Sequence, residues 1–421
     1  MKRLILTGLL TLFFLTLAGC GGRQADMPET PSIEPPAEEE AEPRYLPDVA
    51  PEPEVSPEEQ WEQEQAALAA QREEALRAYL DDMTLEEKVG QLFFVRCPET
   101  DAAEKIAKYH LGGVLLFGRD FKDASDNWLT KDAVIDKLKS YQAAAEVRLF
   151  IGSDEEGGTV TRASRNPNLF PEKSKSPQEL YAVGGLGAIL NDTAEKSYLL
   201  RELGINVNFA PVCDVSTDPN DFIYERSYGK NAAETMAYVT GVELVMGDSG
   251  MGSVLKHFPG YGNNEDTHTG VAIDERPIET FRNSDFLPFL AGIQANEKIQ
   301  PFVLVSHNIV KCMDADLPAS LSPAVHQILR DELRFDGVIL TDDLAMGAVQ
   351  AYARDGSAAV LALKAGNDMI VTSDFEPQIA QVLDAVKNGA LDESVIDGAC
   401  FRVLRAKAAR FQMPWEMEGI A

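Results

Sequence analysis

Val254 to Gly270 reads V-L-K-H-F-P-G-Y-G-N-N-E-D-T-H-T-G, an order of residue types that describes a strand ending in a reactive loop. A short apolar run leads straight into Lys256 and His257, so a strand delivers polar groups to one place. Phe258-Pro259-Gly260 stops it, because proline has no N–H to donate and glycine accepts the turn that follows. The loop ends with Asp266 and His268 two residues apart. In an Asp-x-His unit the carboxylate orients the imidazole and raises its pKa, so the ring keeps a proton to donate near neutral pH. A surface turn whose histidine merely hydrogen-bonds its neighbour is the alternative, and the motif alone does not separate the two.

Working outward, the chain from Met83 onward alternates apolar runs of strand length with helical segments. The runs are 91–95, 113–117, 149–152, 207–212, 253–255, 302–305, 337–340 and 369–371. Eight alternating units predict an α/β fold, a (β/α)8 TIM-like barrel forming a single catalytic domain. An open doubly wound sheet is the rival, but no Gly-x-Gly-x-x-Gly phosphate fingerprint follows the first strand. A barrel demands its chemistry just after the strands, on the C-terminal face. Polar clusters stand there repeatedly: Ser153-Asp154-Glu155-Glu156 after run three, Asp214 and Arg226 after run four, Lys256-His257 after run five, Ser306-His307-Asn308 after run six, Thr341-Asp342-Asp343 after run seven. One such cluster is explained by helix capping; five are not.

The segment at 256–268 resembles the signature of glycoside hydrolase family 3, in its β-N-acetylglucosaminidase branch, where K-H-F-P-G-H-G precedes D-S-H. Tyr261 and Thr267 depart from that pattern. The resemblance extends to M-T-L-E-E-K-V-G-Q-L at 83–92, D-E-E-G-G-T-V-T-R at 154–162 (the family's D-Q-E-G-G-R-V-Q-R), N-F-A-P-V-C-D-V at 208–215, E-R-S-Y-G at 225–229, L-P-A-S-L-S at 317–322 and F-D-G-V-I-L-T-D-D-L-A-M at 335–346. It implies a retaining β-N-acetylglucosaminidase that removes terminal non-reducing GlcNAc through a covalent glycosyl-Asp intermediate. Carried over residue by residue, Asp342 is the nucleophile, with Asp343 as competitor or helix cap. His268 with Asp266 is the acid/base dyad. Asp154, Arg162, Arg226, Lys256 and His257 bind the sugar, and for Arg162 a surface salt bridge is an equal reading. His307 lines the pocket or is a packed, satisfied histidine. No cofactor and no metal are implied. The rivals are a phosphorylase or β-glucosidase of the same fold and a non-catalytic glycan-binding lipoprotein.

The N-terminus bounds the setting. Lys2 and Arg3, an apolar run from Leu4 to Leu17, and Leu17-Ala18-Gly19-Cys20 have the layout of a lipoprotein signal peptide over residues 1–19, with lipid attached to Cys20. Residues 20–66 read as a disordered tether: 14 acidic against 2 basic side chains from 21 to 66 and nine prolines from Pro28 to Pro57 leave little to bury. Glu58 to Asp82 turns to helix-favouring residues, and 67–421 is the barrel domain. These features predict an exported protein anchored to the membrane at Cys20, facing the extracellular or periplasmic side, with peptidoglycan fragments as the natural carbohydrate substrate. The formal charge of −30, from 38 Lys+Arg against 68 Asp+Glu, argues against nucleic acid as a partner. Cys97, Cys213, Cys312 and Cys400 lack metal spacing and read as buried free thiols.

Overall fold

The computed structural model describes residues 56–264, 272–296, 299–346, 349, 351–352 and 357–413. Cys20, Asp266 and His268 lie outside the described residues. Gln60–Ala421 forms one compact unit. Among the described residues no helix is long and apolar enough to cross a membrane. A helix runs over Pro57–Asp82, so the last ten positions assigned to the tether are helical; only its C-terminal part, through Leu76 and Leu80, is buried.

Eight parallel strands build the barrel: β1 (Phe93–Arg96), β2 (Gly113–Leu116), β3 (Phe150–Ser153), β4 (Val207–Asn208), β5 (Gly252–Phe258), β7 (Phe302–Val305), β9 (Ile339–Thr341) and β10 (Ile370–Thr372). They follow in the order β10-β1-β2-β3-β4-β5-β7-β9, and a parallel bridge from Leu340 to Met369 joins the two ends. Two short strands outside the barrel, β6 (Ile273–Asp274) and β8 (Ile309–Val310), pair with each other. Each barrel strand falls within or beside its sequence-predicted run. Two ends move for local reasons. β4 stops at Asn208 because the chain turns into the Ala210-Pro211 bond, where Ala210 donates its N–H back to Asn208. β5 runs on to Phe258, so Lys256 and His257 lie within the strand rather than after it, and Pro259 ends it.

Inside the barrel, bulk is placed against absence. The Phe94 ring packs edge-on to Phe209 at 5.2 Å and stacked on Phe150 at 6.3 Å. A Cβ on Gly152 would stand 2.7 Å from the Phe209 ring and 2.8 Å from Phe94, closer than carbon atoms approach. That position must stay empty for the aromatic layer to close. The helices are stopped and started by ordinary chemistry. Thr84 caps Leu85–Gln91 in a reciprocal box with Glu87, and Ser176 does the same with Glu179 for Pro177–Leu203. Cys97, Cys213 and Cys400 are buried free thiols as expected, whereas Cys312 is exposed, because it sits in the turn that leaves β8.

Candidate active site

Strand β3 hands over to Asp154-Glu155-Glu156, and the three acids divide their work. Glu155 is fully buried and its carboxylate accepts the backbone N–H groups of Arg162 at 3.0 Å and Ala163 at 2.8 Å, together with the Ser164 hydroxyl. It folds the following loop onto the strand end. Burial pushes its carboxyl up from the usual range, against those hydrogen bonds. Asp154 and Glu156 turn toward β5. Lys256 Nζ lies 2.8 Å from Asp154 Oδ1 and 2.6 Å from Glu156 Oε1. Arg226, on the long loop after β4, grips Glu156 with two bonds of 3.0 and 2.8 Å. Burial opposes the charge on Glu156, yet Arg226 and Lys256 together hold its carboxyl well below the usual range. Arg162 Nη2 reaches Asp154 Oδ2 at 3.3 Å.

The network continues through His257. Its Nδ1 is 2.8 Å from Asp214 Oδ2 and its Nε2 3.0 Å from Arg226 Nη2. A guanidinium only donates and a carboxylate only accepts, so the ring donates from Nδ1 and accepts at Nε2. Asp214 is 1% exposed and also accepts the N–H of His257 at 3.1 Å and of Tyr261 at 2.7 Å. Tyr261 therefore belongs to the site's frame. Its ring packs with Val212 and Ile223 and lies edge-on to His257 at 5.2 Å. Gly260 and Gly262 adopt φ of +123° and +54°, and a Cβ on either would collide with Asp285 or Arg276.

On the far side of the mouth, Asp342 follows the last residue of β9. Burial opposes its charge, but His307 and Lys256 draw its carboxyl below the ordinary value, so it is ionised at neutral pH. Its Oδ1 accepts the N–H of Asp343 at 2.8 Å. Asp343 points elsewhere: Oδ1 takes the N–H of Ala345 at 2.9 Å and Oδ2 the Ser373 hydroxyl at 2.8 Å, tying the β9 and β10 loops together. His307 is fully buried, with Nδ1 2.7 Å from Ser320 Oγ and Nε2 donating to the Asp343 carbonyl at 3.1 Å. It is a packed and satisfied histidine that still faces Asp342 electrostatically.

Five sequence-predicted residues, Asp154, Arg162, Arg226, Lys256 and His257, thus share one connected network, and Asp342 sits within its field. The stems of the segment carrying Asp266 and His268 are pinned together, Asn264 Nδ2 donating to Asp274 Oδ2 at 2.6 Å. Sequence reasoning did not select Glu156 and Asp214 as site residues. The tandem acids at 155–156 concealed which one turns inward, and only its spacing after an apolar run marked Asp214. Among the described residues, the group with metal-ligating spacing is Glu87, His110 and Glu146. These stand on segments leading into β1, β2 and β3, at the opposite end of the barrel from the mouth. The mouth itself offers ion-paired donors and acceptors suited to a polyhydroxylated ring, beside one ionised carboxylate.

Residues 84–406 match the model of the glycosyl hydrolase family 3 N-terminal domain. The chain is 33% identical over 288 residues to a β-hexosaminidase of Idiomarina loihiensis, covering 65% of this chain and 80% of that protein. The solved structure of LpqI from M. tuberculosis superimposes with a TM-score of 0.69 at 28% identity, over 79% of this chain and 96% of that one. A family 3 β-N-acetylglucosaminidase from Paenibacillus sp. str. FPU-7 gives the same TM-score at 29% identity over 78% of this chain, which spans only 63% of that longer one. With the matched region covering the whole barrel and the polar network at its C-terminal mouth, the chain belongs to glycoside hydrolase family 3, in the branch of its β-N-acetylhexosaminidases.

Proposed function

We propose that this glycoside hydrolase is a retaining β-N-acetylglucosaminidase acting on terminal GlcNAc of peptidoglycan fragments outside the membrane, held there by lipid on Cys20. The observation that carries the mechanism is Asp342: a carboxylate at a rigid strand end, kept ionised by His307 and Lys256 despite burial. Its oxygen attacks the anomeric carbon as the bond to the leaving oxygen breaks, and His268, oriented by Asp266, gives that oxygen its proton. In the second half His268 takes a proton from water, which attacks the same carbon and frees Asp342. Asp154, Arg162, Arg226, Lys256 and His257 hold the non-reducing sugar; charged donors and acceptors that already bond one another present fixed lone pairs and N–H groups to its hydroxyls.

The first test is hydrolysis of chromogenic β-GlcNAc beside the β-glucoside and β-xyloside. A strong preference for the first is expected, with the β-anomer of free GlcNAc released first. Equal rates, or an α-anomer as first product, would overturn the reading. A mechanism-based fluorosugar should label Asp342; a label on Asp343 would move the nucleophile by one residue.

A further inference from the structure

Resting on the reading of His268 as proton donor, we infer that Arg276 is its positioning residue: the guanidinium ties together the two ends of segment 265–271, which carries Asp266 and His268. Before that segment stand Gly260 and Asn264; after it come Asp274, on β6, and Arg276. The fork of Arg276 reaches both sides. Nε and Nη2 hold Asp274 Oδ2 at 3.0 and 2.7 Å, and Nη2 also donates to the Gly260 carbonyl at 3.2 Å. Nη1 donates to Asp285 Oδ1 at 2.9 Å, where the chain enters the helix Phe286–Ala295. Asp274 in turn accepts Asn264 Nδ2 at 2.6 Å, the direct bond between the two stems. The later stem is fixed to the barrel as well, the carbonyls of Ala272 and Asp274 accepting the N–H groups of Ile309 and Lys311 at 2.9 Å.

Asp274 and Asp285 are each 1% exposed, and Arg276 bridges them. Burial pushes the Asp285 carboxyl up to about 6 even so, and its buried Oδ2 accepts no hydrogen bond among the described residues. Without the guanidinium, two carboxylates withdrawn from water would face each other across the stems. The earlier stem is moulded to it: Gly262 has φ +54°, and a Cβ there would stand 2.4 Å from the guanidinium carbon. The Phe281 ring lies 4.4 Å from that carbon and supports the charge. Lysine would supply the charge from a single point, whereas the planar guanidinium holds several acceptors at once. None of these bonds goes to Asp154, Arg162, Arg226, Lys256, His257 or Asp342. The clamp therefore governs where the segment stands, and not the pairing that meets the sugar. Proton transfer needs hydrogen-bond reach, and a displacement of about 1 Å costs about 100-fold, so loosened stems tell first on that step.

The complete enzyme and its Arg276→Lys, Arg276→Gln, Asn264→Ala and His268→Ala variants are assayed on two substrates. One is GlcNAc linked β-1,4 to GlcNAc, whose leaving oxygen needs a proton; the other is nitrophenyl β-GlcNAc, whose leaving group does not. Arg276→Lys and Asn264→Ala should lower kcat/KM about tenfold or more on the disaccharide and less than about threefold on the nitrophenyl glycoside, with Arg276→Gln more strongly affected in the same sense. Asn264→Ala leaves no buried charge unpaired and carries the test should the Arg276 variants fail to fold. Losses that are equal on the two substrates, or absent, in the folded variants overturn the clamp, since damage to sugar binding or to the fold does not discriminate between leaving groups. His268→Ala tells this failure from that of the donor reading. Selectivity in His268→Ala with none in the stem variants overturns the clamp alone. Selectivity in the stem variants with none in His268→Ala upholds the clamp and moves the donor to another residue of the segment, and its absence from all of them overturns both.

Discussion

Asp342 and Asp343 are adjacent acids of one type, and their surroundings assign them different work. Asp342 bonds its neighbour's N–H and lies in the field of His307 and Lys256, while Asp343 is occupied by Ala345 and Ser373. Asp342→Asn removes the proposed nucleophile, so kcat should fall on the order of 10⁴-fold or more. Asp343→Asn keeps an acceptor for Ala345 and gives the Ser373 hydroxyl a donor instead, so its loss should stay within about tenfold. Equal losses in steady-state kinetics would contradict the division. If His268 is the proton donor as proposed, His268→Ala should slow glycans, whose leaving alkoxide needs protonation, far more than nitrophenyl glycosides, which leave without it. Uniform slowing of both, with the same loss in Glu265→Gln, would assign the proton to a carboxylic acid. The expectation for Asp342 came from the family resemblance, since five strand ends carry polar residues and the adjacent Asp343 is of the same type. The choice between Glu155 and Glu156 was not legible, since it depends on which carboxylate meets the backbone of Arg162 and Ala163.

At the level of elements, the site is held by bonds between segments distant in sequence. Asp214, on the loop after β4, is the main clamp on the end of β5. Asp214→Asn offers one oxygen in place of two, so an amide NH₂ meets the backbone or ring N–H that the carboxylate accepted. Leaving such buried donors unpaired costs about 1–3 kcal/mol. If the ring instead turns its tautomer to accept from the amide, Nε2 carries the proton and opposes Arg226. Either way kcat/KM should fall roughly 10- to 100-fold with a folded protein by circular dichroism; full activity would show that the clamp does not govern His257. Strand positions were readable because buried parallel strands are continuous apolar runs bounded by glycine and proline. The clamp was not, because its partners lie 43 and 47 positions away, and single-chain periodicity carries no information on such pairings. Cys312 was misread for a related reason: its exposure follows from a short strand pair outside the barrel.

For the whole molecule, anchoring and stability make separate predictions. Cys20→Ala should release the exported protein from membrane fractions while leaving hydrolysis of chromogenic glycosides intact; wild type that stays soluble after export would end the lipoprotein reading. A pH-dependent part of stability comes from the opposite end from the mouth, where burial moves two groups toward neutrality. Burial pushes the Glu243 carboxyl up to about 8, opposed by the Ser253 hydroxyl at 2.6 Å and by Arg410. Burial draws the Lys407 ammonium down to about 7, its Nζ bonded to Gln91 at 2.6 Å. The signs differ. Folded Glu243 keeps a proton that the unfolded chain gives up near 4.5, so its contribution is full below that pH and is lost as pH rises to about 8. Folded Lys407 gives up a proton that the unfolded chain holds until about 10.5, so stability is regained as pH rises from about 7 toward that value. The two slopes meet between pH 7 and 8, where Tm should pass through a shallow minimum. Glu243→Gln, which keeps an acceptor for Ser253, should flatten the fall from pH 4.5 to 8 and leave the alkaline rise; Lys407→Met should raise Tm at pH 6 and abolish that rise. A Tm profile unchanged by both substitutions would mean that these buried groups titrate as freely as they do in the unfolded chain.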